Sequence, residues 1–348
     1  MNAPLAFREH GFQQRMNSQR PKILTVQFKS LGDTVVSIPA LTAIRRRFPD
    51  SELHALVPEA SAPLLQHHPA VTRLWFVPRK AGLPQYWPLI RALRAEHFDR
   101  AVDLGCNDRS AILTFLSGAR ERLGASQETG FWGRRLCFTQ SIPVASQDRH
   151  ESLRLLHILS SWNISPPDKI EIQLHTDPAV TKPLSRDASK SLVICNPGAA
   201  SSKKQWPVAH WARFHELATN RGYQLVYIHG VSRLEAQLIQ ELKSRVPDAH
   251  ILPQLDLPHL LVAIKSADAM ISNDPGPMHF ATGLGVKTVA IFGPSLHKRW
   301  YPAGAEHRLL VAPDCECIWG TFVCRRTNHC LAEIKPEAVL ENLESLLA

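Results

Sequence analysis

Three short strings in this sequence carry residues able to do chemistry, and each follows an apolar run and precedes a helix-like one. The first is Ser30-Leu31-Gly32-Asp33. Gly32 permits a tight turn, and Asp33 then stands at a helix N-terminus. A carboxylate there is either an N-cap, the commoner role, or a general base at the edge of a cleft. The second string runs from Asn196-Pro197-Gly198 to Trp206-Pro207. Its small residues free backbone N–H groups, and Ser201, Ser202, Lys203 and Lys204 add two hydroxyls and two ammonium groups. Together these suit a diphosphate. A merely solvated loop would offer the same groups, but a Trp beside a helix start argues for an anchored one. The third string is Ser272-Asn273-Asp274-Pro275-Gly276-Pro277-Met278-His279. Pro275 and Gly276 shape a turn whose N–H groups can face an anion. Asp274 can accept hydrogen bonds from sugar hydroxyls. His279 is either a ligand contact or a core histidine with its hydrogen bonds satisfied, and the second is the commoner state.

The elements that must position these strings alternate. Strands are expected at 22–28, 54–57, 74–77 and 101–104, with a helix after Asp33 reaching Phe48 and another over 88–95. Pro39 should kink or restart the first helix. The segment 176–190 is rich in Pro, Ser, Thr and charge and reads as a linker. Beyond it, strands at 191–195, 224–229, 269–272 and 288–292 alternate with helices at 208–221, 233–245, 257–265 and 277–284. A last helix covers 335–347, with Pro336 in its first turn. The pattern predicts α/β architecture: two Rossmann-like domains facing across a cleft. The expected domains are 21–180 and 191–334, joined by a linker at 181–190 and closed by the helix at 335–348.

Composition removes several classes. The 348 residues favour two domains, and 44% hydrophobic with 20% charged residues excludes a disordered or fibrous chain. No stretch free of Asp, Glu, Lys and Arg exceeds 13 residues, too short for a bilayer-spanning helix. The first 20 residues hold Arg8, Glu9, Arg15 and Arg20 and no apolar run. They read as a disordered lead-in rather than a secretory signal, so the expected compartment is cytoplasmic. There is no Gly-x-Gly-x-x-Gly after a strand, no Walker A string, no Gly-x-Ser-x-Gly and no Asp-x-Asp. Residues 1–182 carry 23 Lys/Arg against 16 Asp/Glu, which accounts for most of the net +9. That surplus suits an anionic partner. The basic residues form no single run and no recognition motif accompanies them, so no nucleic acid is expected. Cys106, Cys137 and Cys195 read as buried small hydrophobes. Cys315, Cys317, Cys324 and Cys330 crowd together, but their spacing fits no standard zinc module. Free thiols are the favoured reading, with His329 a spare ligand should a metal bind.

On these strings the chain resembles glycosyltransferase family 9, the bacterial lipopolysaccharide heptosyltransferases of GT-B fold. The matching residues are Leu31-Gly32-Asp33 with Ile38-Pro39-Ala40-Leu41, Asn196-Pro197-Gly198 with Lys204-Gln205-Trp206-Pro207, Asn273 to His279, and Ile291-Phe292-Gly293-Pro294. Gly118-Ala119-Arg120 and His150-Glu151 match more weakly. The resemblance implies that Asp33 is the base activating the acceptor hydroxyl, with Ser30 and Gly32 on the acceptor side. It implies that Lys204, with Lys203 as a substitute, contacts the donor diphosphate. Asp274 would hold the donor sugar, Gly276, Pro277 and His279 would belong to the same donor turn, and Glu235 would lie near the nucleoside. The implied reaction is inverting transfer, without metal or cofactor, of heptose from ADP-L-glycero-β-D-manno-heptose to an anionic inner-core glycolipid, with peripheral contact to the inner membrane. Here Pro275 and Pro277 bracket Gly276 where relatives carry Ser or Thr. That leaves room for another nucleotide sugar and acceptor. A non-catalytic sugar-nucleotide-binding relative is the remaining alternative, and the joint presence of Asp33, Lys204 and Asp274 argues against it.

Overall fold

The computed structural model describes residues 20–78, 83–126, 130–143, 149–274, 276–293, 296–304, 306–313 and 330–348. The expected lead-in (apart from Arg20), Pro275, His329 and three of the clustered cysteines, Cys315, Cys317 and Cys324, lie outside them.

The chain builds two parallel six-stranded sheets in succession. The first uses β1 (Lys22–Val26), α1 (Leu31–Arg47), β2 (Glu52–Pro58), α2 (Ala62–Leu65), β3 (Arg73–Val77), α3 (Leu83–Ala95), β4 (Arg100–Asp103), α4 (Asp108–Leu116), β5 (Glu121–Ser126) and β6 (Gln140–Pro143). Helix α5 (Glu151–Ile158) follows. Residues 176–190 then carry no helix or strand. The second sheet uses β7 (Leu192–Asn196), α6 (Val208–Asn220), β8 (Gln224–Tyr227), α7 (Arg233–Arg245), β9 (His250–Ile251), α8 (Leu257–Lys265), β10 (Ala269–Asn273), α9 (Gly276–Gly283), β11 (Lys287–Phe292), α10 (His297–Trp300) and β12 (His307–Val311). Helix α11 (Pro336–Leu347) closes the chain.

The strand orders are β3-β2-β1-β4-β5-β6 and β12-β11-β10-β7-β8-β9. Each sheet is wound outward twice from its first strand. The winding reverses between β1 and β4 in one sheet and between β7 and β10 in the other. Crevices for ligands open at these reversal points, beyond the carboxyl ends of the strands. All three chemical strings lie there: Asp33 after β1, the lysine loop after β7, and Asp274 after β10.

Two Rossmann-like units were expected and are present, and they share packing. One apolar cluster runs from Ile38 and Leu41 of α1 through Ile170, Ile172 and Leu174 to Phe280 and Ala281 of α9. Gly283 makes the crossing close. A Cβ there would meet Leu174 at 2.9 Å, and the Leu174 N–H donates to Gly283 O at 2.7 Å.

The helix that was expected to kink or restart at Pro39 does not restart there. Helix α1 runs unbroken from Leu31 to Arg47 with Pro39 buried inside it. A proline there removes one helical hydrogen bond and crowds the preceding turn. Ser152 Oγ donates to Val36 O at 2.7 Å and ties this turn of α1 to α5. Cys137 and Cys195 are buried as expected, whereas Cys106 is only half-buried. Cys330 is buried.

Candidate active site

Asp33 is not the N-cap of α1. Ser30 is, and Asp33 is the third helical residue of a capping box. Its Oδ2 accepts from Ser30 N–H at 3.1 Å and from Ser30 Oγ at 2.5 Å, while the Asp33 N–H donates back to Ser30 Oγ at 3.2 Å. The reciprocal bonds fix the carboxylate at the mouth of the helix. It remains partly exposed.

The lysine loop is anchored as its Trp suggested. Trp206 is fully buried, and its indole N–H donates to Ile334 O at 2.8 Å. Asn273 ties the loop to the third string: Nδ2 donates to Pro197 O at 2.7 Å, and Oδ1 accepts the Trp206 N–H at 3.3 Å. Across the reversal point, Asn196 Nδ2 donates to Ser272 Oγ at 3.1 Å. Ser202, Lys203 and Lys204 form a single 3₁₀ turn preceded by Ser201. The turn brings Lys204 Nζ to 2.7 Å from Asp274 Oδ2, an ion pair with side chains 22% and 12% exposed. The two residues thus form one charged unit at the crevice of the second sheet. Lys203 is also half-buried, and Ser202 is exposed.

Glu235 has a structural reason for its position. It is the third residue of a second capping box, on α7, where Ser232 Oγ donates to Oε2 at 2.7 Å. Its carboxylate lies over two glycines at the strand ends. A Cβ on Gly230 would meet it at 2.6 Å, and one on Gly198 would clash with it outright. The acid therefore sits at the lip of the second crevice, and its cap role alone accounts for it.

The two lips meet at glycines. A Cβ on Gly32 would lie 3.6 Å from Gly276 Cα and 3.5 Å from His279 Cδ2. The N-termini of α1 and α9 thus face each other, with the His279 ring at the contact. The dipoles of the two helices favour negative charge in that gap. His279 sits beside it, 4% exposed. Burial lowers its pKa to about 4 against the opposing pull of Asp274 and Asp33, so the ring is neutral at pH 7. It is not the satisfied core histidine of the commoner reading, because Nδ1 has no hydrogen-bond partner among the described residues. Pro277 follows Gly276 in the first turn of α9, half-buried. Asp33, His279, Asp274 and Lys204 thereby come together from the three separate strings.

Sequence reasoning missed two features. The first lines the crevice beside β1. Asp103 is fully buried at the end of β4, and Arg134 Nη2 lies 3.4 Å from it. Burial raises the Asp103 pKa to about 6, against Ser110, the Cys106 N–H and Arg134. Cys106 follows in the left-handed conformation at φ 49°, which costs a non-glycine residue energy and clusters at functional sites. Its N–H donates to Asp103 Oδ1 at 2.9 Å. No spacing pattern links Asp103 to Arg134, since a whole strand and a helix separate them.

The second is a clamp between the halves. Glu151 Oε2 lies 2.6 Å from Arg299 Nε and 2.7 Å from Arg154 Nη1, all largely buried. Burial pushes the Glu151 carboxyl up, but the two arginines outweigh it and hold it below its ordinary range. Next to it, His150 Nδ1 accepts the Ser152 N–H at 3.2 Å, so its proton sits on Nε2, 3.1 Å from Tyr301 O. His150-Glu151 carried a weak signal in the sequence, while Arg299 and Tyr301 carried none. Glu151→Gln should remove about 3 kcal/mol of stability, because two buried guanidinium groups lose their carboxylate. Thermal denaturation checks this, and an unchanged Tm would remove the pair from the forces joining the halves.

Comparison with known proteins bears on this site. The family model described as glycosyltransferase family 9 (heptosyltransferase) matches residues 86–319. A lipooligosaccharide heptosyltransferase 2 from Campylobacter jejuni is 26% identical over 91% of this chain and 95% of its own. Among solved structures, a family 9 glycosyl transferase from Veillonella parvula superposes with a TM-score of 0.78 at 20% identity, covering 94% of this chain and 97% of that one. The E. coli heptosyltransferase WaaC with ADP-2-deoxy-2-fluoro heptose gives 0.71 at 20% identity, covering 93% and 99%.

Proposed function

This chain belongs to glycosyltransferase family 9 (heptosyltransferase), with the GT-B fold of its structural neighbours, and we propose that it moves a heptose from ADP-heptose to an anionic inner-core acceptor with inversion and without a metal. The observation that carries this reading is the meeting of Asp33 with the Lys204–Asp274 pair across the Gly32–Gly276 contact. An inverting displacement needs one base and one stabilised leaving group, on opposite sides of the reacting carbon. Asp33 takes the proton of the acceptor hydroxyl. The hydroxyl oxygen bonds to the anomeric carbon as that carbon's bond to the diphosphate oxygen breaks, and ADP leaves with the electron pair. Lys204, Lys203 and the N–H groups at the α9 terminus receive the growing charge. Asp274 holds the sugar, with Gly276, Pro277 and His279 shaping its turn, and Ser201 and Ser202 line the diphosphate cradle. Glu235 stands near the nucleoside.

The first half, 21–180, takes the acceptor in this reading and 191–334 takes the donor. The Lys/Arg surplus of residues 1–182 suits a phosphorylated glycolipid. Among the described residues no helix is long and apolar enough to cross a membrane, and the proposed location is the cytoplasmic face of the inner membrane. The donor assignment is carried over from the WaaC relative solved with an ADP-sugar.

A thermal-shift series with ADP, ADP-heptose and UDP, each with and without EDTA, tests the donor and the metal together. A ligand at 100 times its Kd stabilises the folded state by about 2.7 kcal/mol. ADP and ADP-heptose should raise Tm equally with and without EDTA. Loss of the shift in EDTA, or a preference for UDP, would count against the reading.

A further inference from the structure

The first half leaves large apolar side chains in water. Trp132 is 96% exposed and Leu136 74%, and Phe131, Phe115 and Ile112 are exposed as well. These residues belong to one face. Helix α4 packs on the turn at 134–137 through Ala111, Cys137 and Phe138, and Arg134 Nη1 lies 3.6 Å from Asp108 at the start of α4. Contiguous apolar patches of this kind mark interaction sites. The rim is basic. Arg135 and Arg109 are exposed, and the Arg122 guanidinium lies 5.5 Å from the Phe115 ring. Of the five arginines in residues 108–137, Arg134 is buried against Asp103 and Asp108 and Arg120 pairs with Asp99, which leaves Arg109, Arg122 and Arg135 for the rim.

We propose that this face docks on an anionic phospholipid bilayer, with Trp132 and Leu136 seated at the interface and Arg135 on the headgroups. Protruding aromatic and aliphatic side chains ringed by arginine match what an interface between water and anionic lipid rewards. A second copy of the chain fits less well, because a two-fold contact would set the same arginines against one another. Helix α4 starts beyond β4, the strand paired with β1, so the docked face belongs to the half that carries Asp33. That Asp33 thereby meets a lipid-borne acceptor rests on the function proposed above; the docking itself does not.

Co-sedimentation with vesicles, without donor or acceptor, tests it. Wild-type protein should bind vesicles containing phosphatidylglycerol, release them as salt rises, and ignore pure phosphatidylcholine. The double variant Trp132→Ser/Leu136→Ser should lower the partition coefficient by about tenfold or more. Arg135→Glu should weaken binding and flatten its salt dependence. Both variants should keep the wild-type Tm, since these side chains touch water. Wild type that binds neither vesicle, or a double variant that binds like wild type, overturns the proposal. So does a wild-type dimer that the double variant converts to monomer. Failure to transfer any sugar would overturn the function and leave the vesicle result standing.

Discussion

Asp33→Asn should leave a folded protein that binds donor and hardly turns over. The capping box explains why the fold survives. An Asn carbonyl at the third helical position can still accept the Ser30 N–H that Asp33 now accepts, and losing one charge at a helix N-terminus costs about 0.3–1 kcal/mol. The base function cannot survive, because an amide does not take a proton at pH 7. Turnover should fall by roughly 10²–10⁴, the usual worth of a positioned general base. Donor Kd should stay near wild type, since Lys204 and Asp274 lie on the other lip. Asp33→Ala separates the roles further: it should lose the same turnover and, with the capping box opened, about 1 kcal/mol of stability. Single-turnover kinetics beside thermal melts reads both quantities. An Asp33→Asn enzyme with full activity would reduce Asp33 to a structural acid.

Lys204→Ala should weaken donor binding by about 10–100-fold, the range for losing a hydrogen bond to a charged group. Lys203→Ala should change it by only a few-fold. The two lysines are neighbours in one turn, and of the two it is Lys204 that pairs with Asp274, at 2.7 Å. Removing it takes a cation from the diphosphate and leaves the Asp274 carboxylate to repel the same anion. The effects should therefore not add. In a double-mutant cycle, Asp274→Asn should recover part of the binding lost in Lys204→Ala by removing that repulsion. Calorimetric titration with ADP measures the wild type and all four variants. Equal losses in the two lysine variants would show that the lysine roles are misassigned.

The strings were legible because each follows a strand buried on both faces. Leu192–Asn196 and Ala269–Asn273 are buried throughout and read as unbroken apolar runs. Elements toward the sheet edges were harder to read. Strand β6 is Gln-Ser-Ile-Pro, short and half-exposed, and β5 carries Gly124 in its middle. Helix α4 turns Ile112 and Phe115 to water, which erases the one-sided stripe that marks a helix. Within the site, Ser30 rather than Asp33 proved to be the cap, because a capping box and an acidic N-cap differ by three residues that the spacing alone does not rank. The Lys204–Asp274 pair and the Glu151–Arg299 clamp span 70 and 148 residues. Such contacts depend on how two sheets are stacked, and no local pattern encodes that.

The clamp also limits how the molecule can move. Glu151, Arg154 and Arg299, with His150 on Tyr301, form a fixed corner between the two sheets. A movement that keeps these bonds is a rotation about that corner rather than a slide. Displacement then grows with distance from the pivot. The Gly32–Gly276 gap, with His279 6.4 Å from Trp300 next to the clamp, lies on a short lever arm and changes little. In such a rotation the outer strands β3 and β9, at the sheet edges, would travel furthest. A mouth can thus open far enough to exchange bulky substrates while the reacting centre keeps its spacing.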